Sequence, residues 1–148
     1  MCGVFGYFAS NSSPTKLIDA FSVMNQRLAP RGRDASGISL VPGDAEQSPP
    51  TLRINNGELD PREINNLIRS EGIQPRGFLS HHRLSILDLN ERAHQPMASK
   101  DGETVISYNG EIYNFKELRK RLTALGYLFR TTSDTEVFLT AYREWGTD

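Results

Sequence analysis

The feature that most constrains the fold of this chain is its single cysteine, Cys2, which directly precedes a short apolar run. One cysteine among 148 residues cannot form an internal disulfide, and it cannot supply a tetrahedral Cys/His metal site. Neither kind of cross-link is available, and a reducing compartment is indicated. The run from Val4 to Ala9 contains three aromatic side chains and predicts a buried β-strand.

Cys2 could also act as a nucleophile, because it lies next to the N-terminus. Removal of Met1, which the small side chain of Cys2 permits, would leave one residue with both a thiol and a free α-amine. A thiol is a weak nucleophile until a base takes its proton. An α-amine titrates near pH ~7.7–8.0, so Cys2 could supply nucleophile and base together. The alternative is that Cys2 is a small buried hydrophobic residue.

Composition excludes several classes of protein. The chain is 37% hydrophobic and 24% charged with a net charge of −1, which suits one globular domain and gives no basic field for nucleic acid. No apolar run approaches the ~18 residues of a membrane span, and the N-terminus lacks the features of a signal peptide. We therefore expect a cytoplasmic protein with no nucleic-acid or membrane partner.

Periodicity and capping residues predict helices and strands in a mixed order. Helices are predicted to begin at Ser13, Asp60, Asn114 and Ser133 and to end at Pro30, Gly72, Gly126 and Gly146. Strands are predicted at 38–41, 52–54, 78–89, 105–108 and 127–130, with a loop at 31–37. Because the elements do not alternate steadily, we expect an α+β fold with sheet packed on sheet and helices outside.

The C-terminal helix is expected to bury an apolar side formed by Val137, Phe138, Ala141 and Tyr142. No closing strand follows this helix before the sequence stops at Asp148. We therefore expect the chain to be part of a longer protein, truncated at its C-terminal side.

Asn109-Gly110 has two interpretations. The dipeptide is a strong hairpin signal, which explains it without any function. Alternatively, the Asn109 side-chain amide and the Gly110 backbone N–H are two donors that could converge on one oxygen, as an oxyanion hole requires.

Two charged residues could bind the ends of an amino acid. Arg83 lies in an otherwise apolar stretch, where it could pair with Asp88 or Glu111 or hold a ligand carboxylate with its planar fork. Asp134 begins the last predicted helix, where it could simply interact with the helix dipole or balance a ligand ammonium.

Other polar residues give weaker indications. His81 and His82 are adjacent in a predicted strand, so at most one of them can face a given site. His94, in a loop, is interpreted as structural. The cluster of Arg27, Arg31 and Arg33 is interpreted as a solvated patch rather than a site for an anionic partner.

Taken together, these stretches resemble the class II glutamine amidotransferase domain, which has the N-terminal-nucleophile hydrolase fold. MCGVFG and RGRDASG resemble that family's N-terminal motif and its following loop. RLSILDL, AHQPM, YNGEIYNF and TSDTEV resemble its asparagine synthetase (glutamine-hydrolysing) branch in particular. The matches follow the family's order and span positions 2 to about 146.

The resemblance implies a four-layer αββα sandwich and a set of site residues. Cys2 is the implied nucleophile, with Asn109 and Gly110 holding the oxyanion. Arg83 is implied to bind the α-carboxylate of glutamine and Asp134 its α-ammonium. The glutamine pocket is implied to include Leu84, Ser85, Ile86, Leu87 and Glu111. No metal ligands and no cofactor are expected for this domain.

The resemblance also implies an organisation beyond this chain. Residues 2–148 would be an incomplete glutaminase domain, with 42–76 as a family insertion. A synthetase domain that uses ATP and Mg²⁺ would lie downstream and amidate aspartate to asparagine with the ammonia released. Its partners would be L-glutamine and that synthetase domain, and a homodimer of the full-length protein is left open. Two alternatives remain: amidation of another carboxylate, such as a sugar acid or secondary metabolite, or a catalytically silent regulatory or binding domain.

Overall fold

The computed structural model describes residues 2–10, 13–43, 49–84 and 94–147. Within them, the strands are β1 (Gly3–Phe8), β2 (Ala35–Pro42), β3 (Thr51–Asn56), β4 (Pro75–Arg83), β5 (Met97–Ala98) and β6 (Val105–Ile106). The helices are α1 (Pro14–Leu28), α2 (Pro61–Ser70), α3 (Phe115–Ala124) and α4 (Asp134–Trp145), and a short 3-10 turn at Ala29–Arg31 follows α1. This mixture confirms the α+β prediction.

The described strands form two antiparallel sheets. The larger has the order β1-β4-β2-β3, and the smaller pairs β5 with β6. In the larger sheet, Gly3 lies opposite His82 and Ala35 lies opposite Arg83. Strand β4 lies between β1 and β2, and its last residues lie opposite the first residues of both neighbours.

One face of the larger sheet packs against α1 and α2 and forms the hydrophobic core. Phe5, Phe21 and Phe78 meet there with ring centroids 5.5 to 6.0 Å apart. The remaining fully buried core side chains include Leu17, Ile38, Leu40, Leu59, Ile64 and Ile68. Aromatic and aliphatic contacts of this kind dominate the stability of a small domain, so this face holds the larger sheet rigid.

The opposite face of β4 and β2 packs against the smaller sheet. His81 on β4 shares a hydrogen bond of 2.9 Å with the Ser107 hydroxyl just beyond β6. Gly37 on β2 has no room for a side chain, because a Cβ there would lie 2.3 Å from the Gln95 carbonyl oxygen. Helix α4 packs on the smaller sheet, and α3 packs on α4. The layers therefore follow the predicted order of helix, sheet, sheet and helix.

Local capping signals predicted most helix boundaries correctly. The Ser13 hydroxyl accepts the Lys16 N–H, and the Asp60 carboxylate accepts the Arg62 N–H. Gly72 and Gly126 end their helical segments at positive φ, a conformation that glycine adopts without strain. The Asn114 side chain, in contrast, makes no capping bond in the structure, so only the position of that helix start was right.

The predicted strand at 127–130 is wrong, and the buried carboxylate of Glu136 explains why. Glu136 accepts the backbone N–H groups of Arg130 and Thr131 at 2.8 and 2.7 Å, and the Thr131 hydroxyl at 2.7 Å. At the other end of the stretch, the Tyr127 N–H donates to the Leu122 carbonyl oxygen of α3 at 3.1 Å, so neither end of 127–130 has its N–H free for a partner strand. The predicted helix start at Ser133 is confirmed, since its hydroxyl accepts the Thr135 N–H at 3.0 Å.

Several other expectations need correction. Strand β1 is half-exposed rather than buried, since it is an edge strand and Phe8 is 60% exposed. The predicted loop at 31–37 gives way to strand β2 at Ala35. The last helix buries Val137 and Leu139 but exposes Phe138 and Tyr142. The described part of the 78–89 stretch is strand only to Arg83.

Residues 49–76 are integrated into the core. They contribute the edge strand β3, the helix α2 and the first residues of β4. Leu59, Ile64 and Ile68 are buried in the main core cluster. That 42–76 is an insertion relative to other family members stays a prediction. In the described parts of the chain, no helix is long and apolar enough to cross a membrane.

We expect Glu136→Gln to lower the free energy of unfolding by about 1–3 kcal/mol. The substituted amide places an NH₂ group against donors that now bond to a carboxylate, so at least one buried N–H loses its acceptor. Urea denaturation measures the change. The control is Glu117→Gln in the exposed first turn of α3, which should shift stability by no more than about 0.5 kcal/mol. Equal effects of the two substitutions would contradict this account of Glu136.

Candidate functional site

Cys2 lies at the head of β1, beside the end of β4. Because Gly3 is opposite His82, the same antiparallel register places Cys2 next to Arg83. The Cys2 Sγ lies 3.9 Å from the Leu84 carbonyl oxygen, and the residue is partly exposed. The only thiol of the chain is therefore held at a strand end and remains accessible, which is unlike a structural core cysteine.

Two side chains from distant parts of the sequence fix the backbone of Cys2. The Asn109 amide donates from Nδ2 to the Cys2 carbonyl oxygen at 3.2 Å, and Arg31 donates to it from Nε at 3.3 Å. Asn109 is 107 positions from Cys2 in sequence. The structure thus brings together the cysteine and the Asn-Gly pair that sequence reasoning selected separately.

The hairpin interpretation of Asn109-Gly110 is wrong. Strand β6 ends at Ile106, and the chain passes through residues 107–114 into helix α3 instead of turning into a partner strand. Asn109 does not have the positive φ that a type I′ hairpin turn requires. A Cβ on Gly110 would lie 2.6 Å from the Tyr108 hydroxyl, so Gly110 is needed for close packing under that ring.

Arg83 is buried at the end of β4, and backbone contacts fix its position. Its carbonyl oxygen accepts the Asp34 N–H at 3.1 Å. Gly32 packs directly against the same strand end, since a Cβ there would lie 2.6 Å from the carbonyl carbon of Arg83. The segment 31–34 therefore covers the end of β4 and carries Arg31 to Cys2.

Asp134 connects the first turn of α4 to the segment after Gly110. Its Oδ2 accepts the Ile112 N–H at 3.0 Å. A carboxylate has two oxygens and about four acceptor positions, so this bond leaves capacity for a further donor. Asp134 is thus bonded to the segment that contains Gly110 and the exposed Glu111.

The peptide that precedes Asn109 is held by the side chain of Gln95. Gln95 Oε1 accepts the Tyr108 N–H at 2.5 Å, and Gln95 Nε2 donates to the Tyr108 carbonyl oxygen at 3.0 Å. The same nitrogen lies 3.4 Å from the Thr135 hydroxyl, next to Asp134. One side chain therefore contacts both the Asn-Gly segment and the start of α4.

The two adjacent histidines face opposite sides of the larger sheet, as predicted. The His82 ring stacks on Phe5 in the core, with centroids 5.4 Å apart. His81 faces the smaller sheet, where burial, Arg83 and His82 lower its pKa to about 4. Burial also lowers the pKa of His82. Both imidazoles are buried, and the bond of His81 to Ser107 ties it to structure rather than to the thiol.

The structure describes most but not all of the predicted site residues. Three of them lie at the head of β1 and the end of β4: Cys2, Arg83 and Leu84. Asn109, Gly110 and Glu111 lie on the segment between β6 and α3, and Asp134 begins α4. Met1, Ser85, Ile86 and Leu87 lie outside the described residues. Among the residues described, no group of three or more His, Cys, Asp or Glu side chains could hold a metal ion.

Sequence reasoning missed the roles of two polar residues at this site. Arg31 was interpreted as part of a solvated patch, but its Nε donates to Cys2. Gln95 was noted only within the AHQPM stretch and received no role. Each residue lies in a motif that carried the resemblance, and that was the only sequence signal for either.

The fold is a sandwich of two sheets between helices, of the N-terminal-nucleophile hydrolase type, and Cys2 lies at the head of its first strand. The sequence model of the glutamine amidotransferase domain matches residues 70–148. The chain belongs to this family of glutamine amidotransferase domains.

Several of the curated relatives that match this chain are asparagine synthetases. The chain is 51% identical over 73 residues to asparagine synthetase [glutamine-hydrolyzing] 3 of Bacillus subtilis, covering 48% of this chain and 12% of that protein. It is 41% identical over 91 residues to asparagine synthetase [glutamine-hydrolyzing] 1 of the same organism, covering 57% and 14%. The chain therefore spans only about an eighth of the length of these asparagine synthetases.

Solved structures support the fold. A glutamine phosphoribosylpyrophosphate amidotransferase from B. subtilis superimposes with a TM-score of 0.64 at 23% identity, covering 98% of this chain and 30% of that one. A structure described as the allosteric regulatory enzyme of purine biosynthesis gives a TM-score of 0.67 at 21% identity, with the same coverage. At these identities the likeness shows the shared fold.

We expect the native state to lose stability as the pH falls from about 6.5 to about 4. The unfolded chain binds a proton at His81 near pH 6.5, whereas the folded protein resists it until about pH 4. Protonation therefore favours the unfolded state across this window, by an amount on the order of 3 kcal/mol. Urea denaturation at several pH values measures the slope.

His81→Gln should flatten this dependence, leaving a smaller slope from His82. An unchanged slope in His81→Gln would show that His81 is not the group responsible.

Proposed function

We propose that this domain hydrolyses L-glutamine to glutamate and ammonia through a thioester on Cys2. The observation that carries the proposal is the contact of Asn109 with the Cys2 backbone, because it places a two-donor amide beside an accessible thiol. Membership of the glutamine amidotransferase domain family supports glutamine as the substrate. The reaction requires Met1 to be removed, so that the α-amine of Cys2 can act as the base.

In the first half-reaction, the α-amine takes the thiol proton and Sγ attacks the side-chain amide carbon of glutamine. A C–S bond forms, and the amide oxygen becomes an oxyanion. The Asn109 amide has two N–H groups, so one can remain on the Cys2 carbonyl while the other serves the oxyanion together with the Gly110 N–H. When the intermediate collapses, the C–N bond breaks and the leaving nitrogen takes the proton from the α-ammonium to depart as ammonia.

In the second half-reaction, water attacks the thioester carbon while the α-amine accepts a proton from it. The same two donors hold the second oxyanion. Collapse breaks the C–S bond, returns a proton to sulfur and releases glutamate. Each proton that the α-amine takes is given back within the cycle, so the chemistry needs no metal or redox group.

The two charged residues are proposed to select free glutamine. Arg83 presents a planar fork that suits the α-carboxylate, and Asp134 retains acceptor positions for the α-ammonium. Asparagine is one methylene shorter, so its amide would not reach Cys2 while both ends are held. Leu84 and Glu111, with Ser85, Ile86 and Leu87, complete the proposed pocket.

We further propose that the ammonia is used by a synthetase domain of a longer protein. The support is the 41–51% identity to asparagine synthetases over about half of this chain. That domain would use ATP and Mg²⁺ to activate aspartate for amidation to asparagine. Neither ATP nor Mg²⁺ takes part in the steps assigned to the residues of this chain.

Treatment with a glutamine-like diazoketone followed by intact-mass measurement should give one adduct on Cys2 in a protein that lacks Met1. The thiolate is the nucleophile that such a reagent captures, and the glutamine-like end directs it to the site. Cys2→Ser is the control and should remain unmodified under the same conditions. Retention of Met1 in fully active protein, or an adduct on another residue, would contradict the proposal.

Arg83→Lys should raise the KM for glutamine by about tenfold or more and change kcat much less. Lysine keeps the charge but loses the bidentate fork, and one such paired contact is worth about 1.5–3 kcal/mol. Steady-state kinetics and thermal unfolding should be measured together. Arg76→Lys, at an exposed position on the same strand, is the matched control.

The structural alternative for Arg83 makes a different prediction. If Arg83 serves only to stabilise the end of β4, its substitution will lower the unfolding temperature and leave the KM for glutamine unchanged. That result would remove Arg83 from the proposed substrate site.

A further inference from the structure

The side chain of Gln95 replaces main-chain hydrogen bonds that the smaller sheet lacks. Met97 pairs with Ile106 and Ala98 with Val105, so the continued register places Pro96 opposite Ser107 and Gln95 opposite Tyr108. Pro96 has no N–H and cannot extend the ladder. The Gln95 amide offers one donor group and one acceptor, like a peptide, and bonds to both polar groups of the Tyr108 backbone.

Gln95 is itself held in place from the other side. The main-chain carbonyl oxygen of Gln95 packs against Gly37, where a Cβ would come within 2.3 Å of it. Pro96, which follows, is fully buried. The backbone of Gln95 therefore rests on β2 of the larger sheet, while its side chain reaches Tyr108 beyond the end of β6.

The segment that Gln95 holds is the one that carries the proposed oxyanion donors. Tyr108 directly precedes Asn109. The orientation of the Tyr108 backbone therefore determines the directions of the Asn109 side chain and the Gly110 N–H. Asp134 holds the other end of the segment through the Ile112 N–H at 3.0 Å. Gln95 Nε2 also approaches the hydroxyl of buried Thr135, beside Asp134.

We propose that Gln95 is a positioning residue for amide hydrolysis, whose side-chain amide holds the Asn109-Gly110 segment in the geometry that lets both donors meet one oxygen. The catalytic role of Gln95 rests on the proposed function, and its structural role rests on the contacts described above. Gln95 touches no substrate atom in this account and acts only through Tyr108.

The test compares Gln95→Ala, Gln95→Glu and the original protein in glutamine hydrolysis. Because Arg83 and Asp134 hold the two ends of glutamine, we expect Gln95→Ala to lower kcat by about 10- to 100-fold while KM changes by less than about threefold. Misplacement of catalytic donors by about 1 Å can cost a factor of that size. An unchanged kcat, or a loss confined to KM, would overturn the proposal.

Gln95→Glu provides a readout that a general loss of stability would not produce. A carboxylate accepts the Tyr108 N–H but cannot donate to the Tyr108 carbonyl oxygen, whereas a protonated carboxyl can do both. The activity of this variant relative to the original protein should therefore rise as the pH is lowered. A pH-independent ratio would contradict the role assigned to the donor half of the amide.

Asn25→Ala is the matched control. Asn25 is a buried amide whose Nδ2 donates to the Leu59 carbonyl oxygen at 3.1 Å, on the opposite face of the larger sheet. Its loss should lower thermal stability while leaving kcat and KM unchanged. An equal fall in kcat for Asn25→Ala and Gln95→Ala would show that both effects come from lost stability. That result would overturn the positioning role.

Hydrogen–deuterium exchange separates failure of this inference from failure of the proposed function. Gln95→Ala should speed exchange of the Tyr108 amide and of the segment through Ile112, whether or not the protein hydrolyses glutamine. If the original protein neither hydrolyses glutamine nor reacts with the diazoketone, the proposed function fails, and exchange alone then decides the structural part. Unchanged exchange at Tyr108 in Gln95→Ala would overturn the inference in either case.

Discussion

The antiparallel pairing of β1 with β4 is the interaction on which the site depends. It places Cys2 beside Arg83 and brings the thiol to the Leu84 carbonyl oxygen. The pairing is rigid because the other face of these strands packs phenylalanine rings from β1, β4 and helix α1 into one core. A reactive group at a strand end can remain accessible, while the strand behind it is held by buried contacts.

The smaller sheet and its connections carry the proposed oxyanion donors and the carboxylate of Asp134. Asn109 and Gly110 lie in the connection that leaves β6, and Asp134 begins α4. Asn109 reaches Cys2 only because the two sheets are packed together. The bonds that hold this arrangement are polar: His81 to Ser107, Gln95 to Tyr108, and Asp134 to Ile112. Polar bonds are directional, so they can fix the orientation of donors that apolar packing alone would leave variable.

Sequence signals that act over a few residues predicted local structure well. Caps at Ser13 and Asp60 and the glycine after α3 depend on neighbouring backbone groups, so the sequence around them contains the necessary information. The failures involve partners that lie outside the local sequence. Residues 127–130 have the composition of a strand, but the buried carboxylate of Glu136 takes the Arg130 N–H at the end of the stretch. Asn109-Gly110 has the composition of a hairpin turn, because turn statistics contain no information about Cys2.

The site itself was predicted in part by chemistry and in part by resemblance. Residue types alone indicated a thiol with its α-amine, two possible oxyanion donors and two opposite charges. Only the resemblance indicated that these groups belong to one site. Arg31 and Gln95 could not be found from residue type, because an arginine in a basic cluster and a glutamine before a proline have many uses. Only the register of the smaller sheet shows that Gln95 stands where the ladder breaks at Pro96.

The central claim is that a thioester on Cys2 has its oxygen held by Asn109 and Gly110. The most direct measurement is a crystal structure of the protein after reaction with the glutamine-like diazoketone. The account predicts a covalent bond to Cys2 Sγ, with the adduct's carbonyl oxygen about 2.7–3.1 Å from both Asn109 Nδ2 and the Gly110 nitrogen. An adduct whose oxygen faces solvent, with Asn109 still bonded only to the Cys2 carbonyl, would contradict it.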